Sequence, residues 1–281
     1  MIGPLYVGNV NIDFLRRLYC LDAFQRNGTF GELVMAYQKL SVILPAAGNS
    51  TRFGAGEKKT FISLDGRAVW LRTADLFASR PDLLELILVI SAEDEELVRF
   101  KFHANLAFMN VKLVIGGAER VDSVRSALGQ VDTSADLVLI HDAVRPCVSA
   151  EKISEVISMA AQTGAAILAT EVVQTVKRVS CNSVIEETVP RKNLWLAQTP
   201  QVFRRDIILK AYENVTNLGF RPTDDAEVVE ASGYSVTVVP CPYTNIKITN
   251  REDLAMAELI LKSKVDNTPR NWHPFADEDQ W

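Results

Sequence analysis

Leu84-Glu-Leu-Ile-Leu-Val-Ile-Ser91 is almost continuously apolar. A strand that faces water on one side alternates apolar and polar residues, whereas a run like this one belongs to a parallel strand covered on both faces. Ser41 to Leu44, Val111 to Ile115, Leu137 to Ile140, Ala165 to Ala169 and Ser235 to Pro240 are shorter runs of similar character. The segments between several of them carry helical spacing: Ala68 to Ser79, Glu93 to Leu106 with Ser91 as a candidate cap, Arg120 to Val131, and Lys152 to Gln162 closed by Gly164. This alternation predicts an α/β fold, a doubly wound and mostly parallel sheet with right-handed crossovers.

The rhythm changes between about residues 172 and 201. Thr175 to Val179 and Ser183 to Val189 alternate apolar and polar residues around Asn182-Ser183, which predicts a β-hairpin. A two-stranded hairpin is not stable alone, so it is expected to pack on something, a second subunit being one candidate. Arg205 to Val215 and Asp224 to Ser232 read as helices, and Arg251 to Lys264 as a strongly amphipathic closing helix. Residues 1–34 read as a dispensable extension ahead of Met35, residues 35–264 as the main domain, and residues 265–281 as a loose polar tail.

Composition removes several classes. The net charge is −5, so an extended nucleic-acid surface is not expected and any phosphate binding must come from local basic loops. Cys20, Cys147, Cys181 and Cys241 are widely spaced without a CxxC pair, which argues against a zinc site or a disulfide framework and for reduced thiols in a cytoplasmic protein. With only His103, His141 and His273 present, a metal here is expected to be oxygen-ligated. No apolar run is long enough to span a membrane.

Four clusters fall at strand ends, where open α/β sheets hold ligands. Leu44 to Phe61 leaves a strand, becomes small and glycine-bearing, and carries Arg52 and Lys59, which suits an anion cradle. Its glycines, Gly48, Gly54 and Gly56, do not fit the GxGxxG dinucleotide pattern. Gly116 to Ser123 joins a strand to a helix and suits backbone contacts to a base or ribose, or a plain turn and cap. His141-Asp-Ala-Val-Arg145-Pro146 puts a carboxylate beside a phosphate loop, where Asp142 is either a Mg²⁺ ligand or a turn cap, while His141 reads as structural. Lys247, within Asn245 to Thr249, is either a cation aimed into the cleft or a surface lysine, and on its own the surface reading is stronger.

Together these blocks resemble the 2-C-methyl-D-erythritol 4-phosphate cytidylyltransferases of the non-mevalonate isoprenoid pathway. The resemblance spans about Ser41 to Lys264. It is carried by Pro45-Ala-Ala-Gly48 with Arg52 and Lys59, Gly116-Gly117 with Glu119-Arg120 and Asp122-Ser123, and His141-Asp-Ala with Arg145-Pro-Cys147. It continues through Thr175-Val-Lys-Arg178, Gln198-Thr-Pro-Gln201, Thr223-Asp224 and Asn245-Ile-Lys247. It implies a Rossmann-like nucleotidyltransferase fold with a protruding hairpin arm. CTP would be held by Ala46, Ala47, Gly48, Gly117, Ser123 and Asp142, with Mg²⁺ or another divalent cation on Asp142. Arg52, Lys59 and Lys247 would surround the triphosphate, and Thr175, Arg191, Thr199 and Thr223 would bind the polyol phosphate. The resemblance also implies a homodimer in which the arm of one subunit completes the site of the other. Lys58 stands where a proline commonly precedes the lysine of this loop, and Gln174 stands where an acidic residue often precedes Thr175. The rival readings are a ribitol-5-phosphate cytidylyltransferase, a sugar-1-phosphate nucleotidyltransferase, and a non-catalytic nucleotide-binding protein of the same fold.

Overall fold

The computed structural model describes residues 38–48, 58–213, 215 and 219–266, plus two short N-terminal strands, Tyr6–Val7 and Val10–Asn11. The chain divides into two compact units, Met1–Gln38 and Lys39–Trp281. In the first, the two short strands pair antiparallel.

The second unit is built on a seven-stranded sheet. Its strands are β1 (Leu40–Pro45), β2 (Leu83–Ile90), β3 (Val111–Ile115), β4 (Leu137–Ile140), β5 (Ala165–Glu171), β8 (Trp195–Arg204) and β9 (Thr237–Pro240). The spatial order is β9-β5-β8-β4-β1-β2-β3. Every neighbouring pair is parallel except those of β8, which runs antiparallel to both β4 and β5. The chain steps outward from β1 through β2 to β3, then returns to the opposite side of β1 to form β4. That reversal opens a crevice at the carboxyl ends of β1 and β4.

The apolar runs form strands because both faces are covered. Ile87 and Val89 of β2 join a core cluster with Val124 and Leu128 of α4 (Arg120–Leu128), Ile208 and Ala211 of α6 (Arg205–Glu213) and Val228 of α7 (Asp225–Ala231). The intervening Leu86, Leu88 and Ile90 are also fully buried, and by strand alternation they point to the other face, where α1 (Val69–Ala78) packs on β2. On the far half of the sheet α5 (Ala150–Thr163) lies against β5 and β8. It starts at Ser149, whose hydroxyl accepts the Lys152 N–H, and stops at Gly164, whose φ of 94° is a left-handed conformation that favours glycine.

Three expectations need correction. Glu93 to Leu106 is not one helix: a 3₁₀ turn, Ala92–Asp94, leads into α2 (Glu95–Lys101), and α3 (His103–Phe108) follows a break at Phe102. Phe102 turns inward there and packs edge-on to Trp70, with ring centroids 5.3 Å apart. Ser91 sits at the start of the 3₁₀ turn but its side chain caps nothing. The segment ending at residue 201, read as part of the arm, runs instead into a ten-residue strand, β8, in the middle of the sheet. The closing helix α8 (Arg251–Asp266) buries Ala257 against Val144, Cys147 and Ile248, yet leaves Met256 and Leu259 exposed, so its apolar face is less cleanly segregated than its sequence suggests.

The arm itself is present. β6 (Val176–Val179) and β7 (Ile185–Val189) pair antiparallel, with Ser183 at positive φ in the turn. Among the described residues no disulfide joins Cys147, Cys181 and Cys241; Cys20 lies outside the described residues.

Candidate active site

The loops leaving β1, β3 and β4 converge on the crevice. Its walls are Pro45 to Gly48 after β1, Lys59 and Thr60, Gly117 to Arg120 with Ser123 after β3, and Asp142 and Val144 after β4, with Lys247 at the rim. The Ala46 N–H is tied to the Val89 carbonyl at 2.7 Å, which holds the end of β1 in the plane of the sheet. The glycine pair lets α4 begin against the crevice. A Cβ on Gly116 would lie 2.5 Å from Ser123 Oγ and 3.0 Å from Ala47 Cβ, and one on Gly117 would strike Asp122. Only glycine permits this approach of the loop after β3 to the first turn of α4.

Asp142 is the electrostatic centre. It is buried, and its carboxylate lies 3.0 Å from Lys247 Nζ, 3.1 Å from Arg145 Nε and 3.7 Å from Arg120 Nε. Burial opposes its ionisation, but Lys247, Arg120 and Arg145 outweigh burial and hold the carboxyl well below the usual carboxylate range. Arg120 is anchored from behind by the fully buried Asp225 at 2.7 Å, and Tyr212 donates to the same carboxylate at 2.6 Å. Burial disfavours the Arg120 cation, and Asp225 and Asp142 more than offset that cost.

A hydrogen-bond chain fixes the backbone beside Asp142. The Asp142 N–H donates to Thr199 Oγ1 at 3.0 Å, and Thr199 Oγ1 lies 3.0 Å from His141 Nδ1. His141 Nε2 lies 3.0 Å from the Arg145 carbonyl, which accepts only, so Nε2 carries the proton and Nδ1 accepts from Thr199. Burial pushes the His141 imidazole down to about 4, so it is neutral at physiological pH. His141 is therefore structural, as its sequence context predicted. Asn245 links the loop of Lys247 to β8 by donating to Gln198 Oε1 at 2.8 Å and to the Thr199 carbonyl at 2.9 Å.

The family model for IspD, 2-C-methyl-D-erythritol 4-phosphate cytidylyltransferase, matches residues 40–263. The chain belongs to this family. The curated 2-C-methyl-D-erythritol 4-phosphate cytidylyltransferase of Alkaliphilus metalliredigens is 37% identical over 235 residues, covering 83% of this chain and 98% of the relative. That of Rhodopirellula baltica is 42% identical over 233 residues, covering 79% and 94%. Among solved structures, the 4-diphosphocytidyl-2C-methyl-D-erythritol synthase of Anaerococcus prevotii superposes with a TM-score of 0.68 at 32% identity, covering 80% of this chain and 99% of that one. The fold is thus the α/β nucleotidyltransferase fold of the family, a mixed but mostly parallel sheet with flanking helices.

Of the residues singled out in the sequence, Ala46, Ala47, Gly48, Lys59, Gly117, Ser123, Asp142 and Lys247 line one crevice. Lys247 points at Asp142 rather than lying on the surface, which reverses the reading its local sequence favoured. Arg52 lies outside the described residues. Thr199 is buried behind Asp142, whereas Thr175, Arg191 and Thr223 are exposed and are not among the residues lining the crevice. Arg191 donates to the Val173 carbonyl at the base of the arm, and Thr223 is tied to Glu227 at 2.6 and 2.9 Å. Sequence reasoning misses roles for Arg120, Arg145, Asp225 and Tyr212; the first two lie inside blocks that resemble the family, and Arg145, three residues after Asp142, carries the one local signal.

Proposed function

We propose that this chain transfers the cytidylyl group of CTP to 2-C-methyl-D-erythritol 4-phosphate, giving 4-diphosphocytidyl-2-C-methyl-D-erythritol and pyrophosphate, in non-mevalonate isoprenoid precursor biosynthesis. The observation that carries this reading is the convergence of Lys59, Lys247 and Asp142 with the Gly117–Ser123 loop on one crevice at the switch point of the sheet. A phosphate oxygen of the polyol phosphate attacks the α-phosphorus of CTP in line. The bond from that phosphorus to the bridging oxygen breaks and pyrophosphate leaves with the electron pair. No covalent enzyme intermediate is required. Two anions must meet, so the chain's work is positioning and charge stabilisation.

In this reading Ala46 to Gly48, Gly117 and Ser123 hold the base and ribose. Lys59 and Arg52 stabilise charge at the reacting phosphoryl group, with Lys247 assisting. Asp142 is a single buried carboxylate, and among the described residues no cluster of three or more His, Cys, Asp or Glu side chains accompanies it. That donor set fits a hard divalent ion such as Mg²⁺, which commonly takes one or two carboxylates and completes its shell with phosphate oxygens and water. Such an ion supplies charge neutralisation on the phosphates. Arg120 and Arg145 keep Asp142 ionised, and Thr199 acts through the Asp142 N–H that it holds. Thr175, Arg191 and Thr223 serve the polyol phosphate.

The arm, which ends where β8 begins at Trp195, reaches a partner subunit in a homodimer. Its exposed Val179, Ile185 and Leu194, with Trp195 and Leu196 at the start of β8, support this, because exposed apolar side chains gain by being covered. Residues 35–264 form the catalytic domain of a cytoplasmic enzyme, and residues 1–34 and 265–281 are not needed for turnover.

The test is pyrophosphate release from CTP and Mg²⁺ with each polyol phosphate in turn. Higher kcat/KM with 2-C-methyl-D-erythritol 4-phosphate than with ribitol 5-phosphate is expected. The reverse order would move the substrate to ribitol phosphate, and no release with either would leave a nucleotide-binding protein.

A further inference from the structure

Two adjacent lysines end the β1 loop, and the structure sends them to different places. Lys59 lines the crevice. Lys58 turns away: its Nζ donates to Asp94 Oδ2 at 2.6 Å and to Ser91 Oγ at 2.9 Å, and Ser91 Oγ donates to the same Asp94 oxygen at 2.7 Å. The three side chains close a triangle just beyond the carboxyl end of β2.

Two features separate this contact from an ordinary surface ion pair. The Asp94 side chain is only 7% exposed and that of Lys58 23%, so the pair is shielded from the water and salt that weaken exposed pairs. Asp94 also occupies the N-cap position of α2, where a carboxylate normally accepts a helix N–H, yet it makes no cap bond. Its carboxylate is given to Lys58 and Ser91 instead.

The backbone shows what this arrangement holds. The Lys58 carbonyl accepts the Phe61 N–H at 2.9 Å, which closes a four-residue turn with Lys59 and Thr60 at its centre. The trailing side of that turn is fixed twice. The Thr60 carbonyl accepts the Trp70 N–H at 3.1 Å, and the Phe61 ring packs on Phe102 with centroids 6.0 Å apart. The leading side is fixed by the Lys58 side chain.

We propose that Lys58, Asp94 and Ser91 form a clamp that sets the leading edge of this turn and so places Lys59 against the reacting phosphates. Lys58 and Asp94 are positioning residues for nucleotidyl transfer, and Lys58 does not itself contact the phosphates. The proposal rests on the reaction assigned above. Catalytic groups displaced by about 1 Å lose up to roughly 100-fold in rate. Releasing one of several anchors is expected to cost about 10-fold in kcat, with less change in KM for CTP because the base and ribose contacts lie elsewhere in the crevice.

Asp94→Asn is the decisive variant. It breaks the clamp while leaving the positive charge of Lys58 in place and available. If Lys58 were a phosphate ligand, Asp94→Asn would leave kcat unchanged or raise it. If it is a clamp, Asp94→Asn and Lys58→Met lower kcat to a similar degree, the double variant is little worse than either single one, and Lys58→Arg recovers most of the loss seen in Lys58→Met. Hydrogen exchange at the Phe61 amide reads the turn without any assay of turnover, and it is expected to quicken about 10-fold in Asp94→Asn. Wild-type enzyme assayed alongside separates the two claims, since wild type without pyrophosphate release would remove the assigned reaction while the exchange measurement still decides the clamp. Unchanged Phe61 exchange in Asp94→Asn, or kcat within 2-fold of an active wild type, would overturn the proposal.

Discussion

The crevice and the hairpin arm hold their charged side chains in opposite ways. In the crevice, Asp142 is buried and meets Lys247, Arg145 and Arg120, and each of these comes from a different loop or helix. Its backbone is held in turn through Thr199 and His141. On the arm, Arg178 meets Glu187 and Lys177 meets Thr188 across one exposed two-stranded ladder. Charge that must stay fixed while two anions approach is placed where several elements determine it together. The arm's residues are held by the ladder to which they belong. Damage in the crevice should therefore reach both chemistry and stability, whereas damage on the arm should be confined to one substrate or pass almost unnoticed.

The largest effect is expected from Asp142→Asn. It keeps the shape, removes the carboxylate proposed to hold the divalent ion and takes the shared partner from Lys247 and Arg145, so kcat/KM should fall by about 100- to 1,000-fold. A fall of less than 10-fold would break the crevice's claim to being the reacting centre.

The next effect is on stability, through His141. Its folded pKa, about 4, lies below the ordinary 6.5, so between those values the unfolded chain binds more protons than the folded one. The stabilisation is present above pH 6.5 and is lost as pH falls toward 4. At about 1.4 kcal/mol per pH unit, that interval amounts to about 3 kcal/mol. Denaturant midpoints at pH 7 and pH 5 should drop more steeply in wild type than in His141→Asn. Equal slopes would contradict a neutral, buried imidazole.

Thr175→Ala, at the base of the arm, should raise KM for the polyol phosphate by about 10-fold, the scale of losing one good hydrogen bond to a charged group, while KM for CTP stays within error. A rise confined to CTP would reverse the division of labour between the two regions. Smallest of all, Arg178→Ala removes an exposed ion pair and should cost less than about 1 kcal/mol in thermal or denaturant unfolding.

Local patterns carried most of the fold. Val111–Ile115 and Leu137–Ile140 are strands with the bounds their apolar runs suggest, and Gly164 ends α5 through its backbone conformation. β8 was not legible because Gln198, Thr199, Pro200 and Gln201 are polar or proline and fell within the segment read as the arm. Their partners are remote in sequence. Gln201 donates to Asp224 and accepts from the N–H groups of Asp225 and Ala226, and Gln198 accepts from Asn245. The strand exists because tertiary partners satisfy those polar groups, and no local pattern encodes them. The same holds for Lys247, whose neighbours suggest a surface lysine until Asp142 is placed beside it. The place of Asp142 was legible, since a carboxylate two residues beyond an apolar strand falls at the carboxyl edge of the sheet, where ligands bind.

Lys59, held in the turn after β1, is proposed to act on the phosphoryl group in flight. Steady-state pyrophosphate release by Lys59→Ala, with CTP, Mg²⁺ and 2-C-methyl-D-erythritol 4-phosphate saturating and the fold verified by circular dichroism, measures this most directly. A kcat at least about 100-fold below wild type is expected; a folded Lys59→Ala enzyme with near-normal kcat would contradict a role for Lys59 at the reacting phosphate.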